Sequence, residues 1–267
     1  TPDYAGEGWL QATRLLLNAA HNGNGGTLVA DELTLAGETL DHQGTTQANQ
    51  LTLNYRDIHN DGALIGNKRL TVTVGQFAQS ADGKTMSGGD LSVDATGINA
   101  LGQVVALGDL TLRLTDALKS QARYAAGKTL AITSDGAIEN LDVMQGQVVN
   151  LQAGGALING GQLTTGSGDS RLSGSEILLN EGSTLQGGGD LTLASNGDIT
   201  THGFAGTLGN LTLIAPGSIV NTALLYAEKN LALYSGSLKN QRGEILADNN
   251  LWIQRDAAGN ASDEVVN

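Results

Sequence analysis

The apolar positions of this chain recur as a short alternating triplet. Leu-x-Leu, or a Val/Ile variant of it, starts at Leu15, Leu33, Leu51, Leu70, Leu91, Leu110, Leu130, Val149, Leu172, Leu191, Leu211, Leu231 and Leu251, at intervals of 18 to 23 residues. Alternation of period 2 puts both apolar residues of a triplet on one side of a strand and the middle residue on the other. That middle residue is Thr34, Thr52, Thr71, Ser92, Thr111, Thr192 and Thr212 in seven of the copies. Two more signals share the period. An apolar residue followed closely by Asn comes seven to nine residues after many triplets, as at Ile58-His59-Asn60, Ile98-Asn99, Ile138-Glu139-Asn140, Ile158-Asn159, Ile219-Val220-Asn221 and Leu238-Lys239-Asn240. A short apolar-Ala or apolar-Gly piece follows, as at Leu28-Val29-Ala30, Leu64-Ile65-Gly66, Val104-Val105-Ala106 and Ile245-Leu246-Ala247. Gly, Asp or Asn then leads into the next triplet.

Each repeat therefore predicts three short strands separated by turns. No uninterrupted helical face survives the Gly and Asn punctuation. The best helical candidate, "DALKSQARYAA" (Asp116 to Ala126), falls in register with the second and third strands of its repeat and reads as strand. One such repeat has nowhere to bury its Leu side chains, whereas stacked repeats cover one another. The expected fold is all-β: a right-handed parallel β-helix (solenoid) of about 13 coils of ~20 residues, with three strands per coil and aliphatic ladders inside. Residues 1–267 read as a single continuous β-helix cut from a larger protein, with an irregular start (1–12) and an irregular end (254–267). An Asn near a corner can bond its own backbone or the Asn one coil away, and both a turn preference and a true Asn ladder fit the pattern.

Composition narrows the partners. Gly is 38 of 267 residues and Pro only 2, which suits many tight turns. Aromatic residues are 3% of the chain, so the core is thin and aliphatic. The net charge of −13, with 14 Lys and Arg, argues against nucleic acid as a partner and against an anionic membrane surface. There is no Cys, so disulfides and thiol chemistry are excluded.

Candidate chemistry is sparse. His21, His42, His59 and His202 share no column and read as solvent-facing polar positions rather than metal ligands. Asp90, Asp109 and Asp190 precede triplets, where turn preference explains them better than a glycosidase acid pair does. The Gly-Gly-Asp pieces at 88–90 and 188–190 lack the nine-residue period of calcium-binding repeats. No catalytic residue, metal ligand or cofactor is expected, and the chain reads as non-enzymatic. The few rings are the candidate binding anchors: Phe204, Tyr226, Trp252, Phe77 and Tyr124.

The pattern in "GDLTLASNGDITTHGFAGTLGNLTL" and "IVNTALLYAEKNLALYSGSLKNQRGEILADNNLWI" resembles the filamentous haemagglutinin repeats of two-partner-secreted exoproteins of Gram-negative bacteria. The closing "NLWIQRDAAGNASDEVVN" is similar to the contact-dependent growth inhibition (CdiA-type) branch. The resemblance implies a secreted, cell-surface filament. It also implies two partners: an outer-membrane transporter for secretion, and an outer-membrane receptor, protein or lipopolysaccharide, on a neighbouring bacterium. A separate toxin would be delivered by the full-length protein. A passive β-helical stalk or general adhesin is the alternative, and a glycan-active β-helix enzyme the more distant one. Coils from Leu70 to Leu130 and around Ser167 to Asn180 depart most from the pattern, and specialised surface is expected there.

Overall fold

The computed structural model describes residues 3–267. Among them are 31 strands and no helix, and the strands stack in parallel from coil to coil. The chain is a parallel β-solenoid. It divides into two compact units at Ile132/Thr133.

In residues 3–132 the triplets stack in register. Leu15, Leu33, Leu51, Leu70, Leu91 and Leu110 lie opposite one another in successive coils and form the first face. From Leu33 onward its inward residues are almost fully buried, as with Leu33, Leu35, Leu51, Leu53, Leu70 and Val72. Burial of each such side chain is worth about 1.5–3 kcal/mol. A second face stacks Asp3–Gly6, His21–Asn24 and Thr39–His42 on the ends of two longer strands. Those strands, Thr45–Asn60 and Ala63–Gln79, run through their corners with no break, so these coils are bent long strands rather than three short ones. A register shift between Ala48 and Gln50 absorbs the extra residue that lengthens the spacing from Leu51 to Leu70. The third face stacks Thr27–Ala30 on Thr45–Ala48, Ala63–Gly66, Lys84–Ser87, Gln103–Ala106 and Arg123–Ala126. Leu118–Ser120 and Arg123–Ala126 are strands, so the Asp116–Ala126 segment is not helical. Asp3–Gly6 and Trp9–Asn18, within and beyond the expected irregular start, are also strands.

Tight corners set the glycine positions here. A Cβ on Gly44 would lie 1.9 Å from the Gly26 carbonyl oxygen, and one on Gly62 would lie 2.1 Å from that of Gly44. A larger residue would force the coils apart.

Residues 133–267 repeat the plan. On the first face the register pairs Ser170 with Leu191, followed by Leu211, Leu231 and Leu251. The triplet expected at Leu172 therefore begins two residues earlier. Its spacing to Leu191 is 21 residues, from 170 to 191, and the apolar first position is replaced by a buried Ser. Apolar periodicity could not find it. The Ser170 hydroxyl compensates by accepting the backbone N–H of Val149 at 2.9 Å. The second face stacks Ile138–Asn140, Leu157–Asn159, Ile177–Leu179, Ile199–Thr201, Ile219–Asn221 and Leu238–Asn240. The third stacks Val143–Gly146, Gln162–Thr165, Thr184–Gly187, Phe204–Thr207, Leu224–Ala227 and Glu244–Ala247. In the closing stretch Asp256 accepts Asn260 Nδ2 at 2.8 Å and the Ala258 N–H at 3.0 Å. These donors hold its carboxyl below the ordinary range. Glu264–Val266 then pairs with Ser237–Lys239.

Candidate functional site

The inside of the solenoid carries a polar column beside its aliphatic ones. In residues 3–132, Asn24, His42, Asn60 and Gln79 occupy one inward row of the second face. Asn60 Oδ1 accepts the Gly62 N–H at 3.1 Å, which fixes it as an acceptor. His42 Nδ1, 2.8 Å from the same oxygen, must then donate. Asn24 Nδ2 donates to Thr46 Oγ1 at 3.1 Å, and the Thr46 hydroxyl can donate to His42 Nε2 at 2.9 Å. Asn60 Nδ2 donates to Gln79 Oε1 at 3.0 Å, and the Thr85 hydroxyl donates to the same oxygen at 2.7 Å. Gln79 Nε2 ends the chain on the carbonyl of Leu101 at 2.8 Å. His42 is fully buried, contrary to the expected solvent-facing position: its residue is inward by strand parity. Burial pushes its imidazole pKa down, opposed by the Asn60 bond and the charge of Asp41.

In residues 133–267 the equivalent row links Asn140 Nδ2 to Asn159 Oδ1 at 3.0 Å and Asn221 Nδ2 to Asn240 Oδ1 at 3.0 Å. The Thr201 hydroxyl donates to Asn221 Oδ1 at 2.7 Å. Turn bonding and ladder coexist. Asn140, Asn159 and Asn221 each accept the backbone N–H two residues on, while their amides reach the next coil.

The corner acids also act between coils. Asp90 Oδ1 accepts the Asp109 N–H at 2.8 Å, and Asp109 Oδ1 accepts the Thr129 N–H at 3.0 Å. Asp190, Asn210 and Asn230 repeat the device, their side-chain oxygens taking the N–H groups of Asn210, Asn230 and Asn250, each 20 positions on. The remaining histidines lie on the surface. His21 and His202 bond Thr39 and Thr222, and His59 pairs with Asp61 at 3.0 Å. Among the described residues no group of three or more His, Asp or Glu is placed to hold a metal ion.

The five candidate rings separate by parity. Phe77 lies on an inward row opposite Ile58 and Ile98, and Tyr124 on one opposite Val104. Both are core residues, at 3% and 0% exposure, and neither can present its ring to a partner. Phe204, Tyr226 and Trp252 point outward, all within residues 133–267. Trp252, 42% exposed, stands over Ala232, Thr212 and Thr192 in one outward row. With Tyr234 and the Asp190–Asn210–Asn230 corner it bounds a groove of about 300 Å³.

Phe204 and Tyr226 share a second groove, of about 430 Å³. Its outward row runs Thr164, Gln186, Gly206, Tyr226 through four successive coils. Gly206 leaves the row without a side chain, and the Phe204 ring fills that place. A Cβ there would lie 2.6 Å from Phe204 Cζ. Thr165, Gly187, Gly188, Thr207 and the exposed Leu208 complete the lining, which contains no charged side chain. The Tyr226 hydroxyl turns to the next coil and donates to Asp248 Oδ2 at 3.1 Å. Partial desolvation, that bond and the negative charges of Asp248 and Glu228 raise its pKa. The five rings were the sequence signal, but only strand parity separates the buried pair from the outward three. Gly206 carried no signal of its own.

Comparison with known proteins places this architecture. The haemagglutinin repeat matches residues 5–54, 46–99, 87–142, 143–175, 167–203 and 201–260. The chain is 47% identical over 267 residues to "tRNA nuclease CdiA" of Escherichia coli strain STEC_O31, covering 100% of this chain and 8% of that protein. It is 38% identical over 262 residues to "Deoxyribonuclease CdiA" of Dickeya dadantii strain 3937, and 43% identical over 261 residues to "16S rRNA endonuclease CdiA" of Enterobacter cloacae; each match covers 97% of this chain and 8% of the relative. The chain thus spans about a twelfth of the length of these relatives. No solved structure matches it. With the repeat matched from residue 5 to residue 260 on a parallel solenoid of the same period, the chain belongs to the haemagglutinin repeat family and is a segment of the CdiA kind.

Proposed function

We propose that this chain is a non-enzymatic segment of a secreted, cell-surface filament of a Gram-negative bacterium, and that it binds an outer-membrane receptor on a neighbouring cell during contact-dependent growth inhibition. One observation carries the non-enzymatic part. Relatives named for three different nuclease activities, on tRNA, DNA and 16S rRNA, all match along nearly the whole of this chain. A segment common to proteins named for different activities supplies what they share, not what distinguishes them. The interior polar row supports the same reading, since the amides of Asn60, Asn140 and Asn221 are engaged in coil-to-coil bonds. The receptor-binding part rests on the outward rings Phe204, Tyr226 and Trp252, because large accessible rings in grooves are the usual anchors of an interface. Export of the full-length protein through an outer-membrane transporter belongs to this proposal.

The test is competition. The purified segment, added in excess, is expected to reduce attachment of inhibitor cells to target cells, and to lose that effect on targets lacking one outer-membrane component. The rival reading is a passive stalk, favoured by the repeated small hydroxyl residues Thr34, Thr52, Thr71 and Thr111 on the outward row of the first face. No competition on any target would establish the stalk and end the receptor proposal.

A further inference from the structure

We infer that the Phe204–Tyr226 groove binds a neutral sugar ring, with the apolar face of the pyranose seated against Phe204. The inference rests on the receptor-binding reading proposed above and gives that site a ligand class. Three features of the groove select it.

The first is the platform. Phe204 lies over a backbone stripped of a side chain at Gly206, so its ring fills a shallow place that any other residue would occupy. An aromatic face carries partial negative charge and attracts the slightly positive C–H groups that line one side of a pyranose. The second is the polar rim. Gln186 is opposite Gly206 and Thr164 is opposite Gln186, so an amide and a hydroxyl flank the platform at about 5 Å intervals. Those are the donor and acceptor groups that suit the hydroxyl edge of a sugar. The third is charge. No Lys, Arg, Asp or Glu lines the groove, and the two charges that act on Tyr226 at its edge, Asp248 and Glu228, are negative. A phosphate or uronate would meet repulsion without a counterion. At about 430 Å³ the groove falls in the range of ligand sites, roughly 300–1,000 Å³.

The experiment is a titration of the isotopically labelled segment, read by amide NMR shifts. The probes are methyl glucoside, methyl galactoside, methyl mannoside and N-acetylglucosamine, with galacturonate and inorganic phosphate as charged controls. At least one neutral sugar should shift Gly187, Gly188 and Gly206 saturably, and the charged probes should not. Phe204→Ala should weaken that binding about tenfold. Gly206→Ser, which drives the Phe204 ring out of its place, should do the same, and Tyr226→Phe should leave it within about twofold. An unchanged spectrum elsewhere in the variants shows that the solenoid is intact. Absence of shifts with every neutral sugar, or shifts that persist in Phe204→Ala, would overturn the inference. Two mixed outcomes separate it from the receptor reading. If Phe204→Ala abolishes cell competition while no sugar binds, the groove takes a protein and the sugar assignment fails alone. If a sugar binds as expected but the segment does not compete, the receptor reading fails and the sugar site stands.

Discussion

The interior polar row of residues 3–132 runs Asn24, His42, Asn60, Gln79 and stops at Ala100, whereas that of residues 133–267 runs Asn140, Asn159, breaks at Leu179 and resumes as Thr201, Asn221 and Asn240. Both rows break at an apolar rung, and the amide before each break is paired in the same way. Before Ala100, the Gln79 amide turns to the carbonyls of Leu101 and Gln103. Before Leu179, the Asn159 amide turns to the carbonyl of Thr184. A buried amide facing an apolar neighbour would cost about 1–3 kcal/mol if unpaired. A rung can therefore be apolar when the preceding amide finds a backbone carbonyl of the next coil. The first unit also recruits inward Thr46 and Thr85 from its third face, which lets a histidine and a glutamine stand where asparagine is the simpler choice.

The largest expected effect comes from removing a hub. Asn60→Leu would orphan His42 Nδ1 and the Gly62 N–H and leave Gln79 Oε1 with the Thr85 hydroxyl as its remaining donor. Asn221→Leu would orphan the Ala223 N–H and Asn240 Oδ1 and leave the Thr201 hydroxyl only the longer bond to the Val220 carbonyl. Each should lower unfolding stability by about 3 kcal/mol in denaturant melts. A loss below about 1 kcal/mol would mean that the rows are passengers.

Acid should distinguish the two units next. Burial favours neutral His42, so the unfolded chain takes up a proton near its ordinary pKa of 6.5 while the folded chain resists until lower pH. The stability this residue contributes is complete above pH 6.5 and declines as pH falls below it, by at most about 1.4 kcal/mol per pH unit until the folded value is reached. Local hydrogen exchange of residues 39–60 should accelerate on that side. His42→Asn, which installs the residue used at neighbouring rungs, should flatten the dependence. An unchanged acid slope in that variant would remove His42 as its cause.

A smaller effect separates two buried phenols. Tyr55 accepts Asn22 Nδ2 at 2.7 Å, whereas the Tyr124 hydroxyl, buried among core side chains, has no hydrogen-bond partner among the described residues. Burial raises the pKa of both. Tyr55→Phe should cost about 1–2 kcal/mol in a thermal or denaturant melt, and Tyr124→Phe should be neutral or stabilising. Equal costs would contradict the hydrogen-bond account.

Most of the fold was legible because its two determinants, strand parity and repeat length, are linear in sequence. Leu-x-Leu at a spacing near 20 has few physical solutions other than stacked coils. What escaped was set by partners in three dimensions. Ser170 takes a leucine position because a backbone N–H one coil away needs an acceptor. His42 is inward because Thr46, on another face, supplies a hydroxyl to its second nitrogen. Asp90 and Asp109 looked like turn residues because nothing in a single sequence shows that the N–H they accept lies 19 or 20 positions on. The groove was half legible. Rings at 204 and 226 were candidate anchors, but the glycine between them in the stacked row became meaningful only once register set it beside Phe204. The same parity that exposes those two buries Phe77 and Tyr124.

The central claim is that side chains 19 or 20 residues apart hold successive coils together, and a double-mutant cycle on Asn140 and Asn159 tests it most directly. Their amide-to-oxygen contact is 3.0 Å across adjacent coils. Asn140→Ala, Asn159→Ala and the double variant, compared by denaturant unfolding, should give a coupling energy of about 1 kcal/mol or more. Additivity within about 0.3 kcal/mol would contradict the account, because residues that do not touch behave that way.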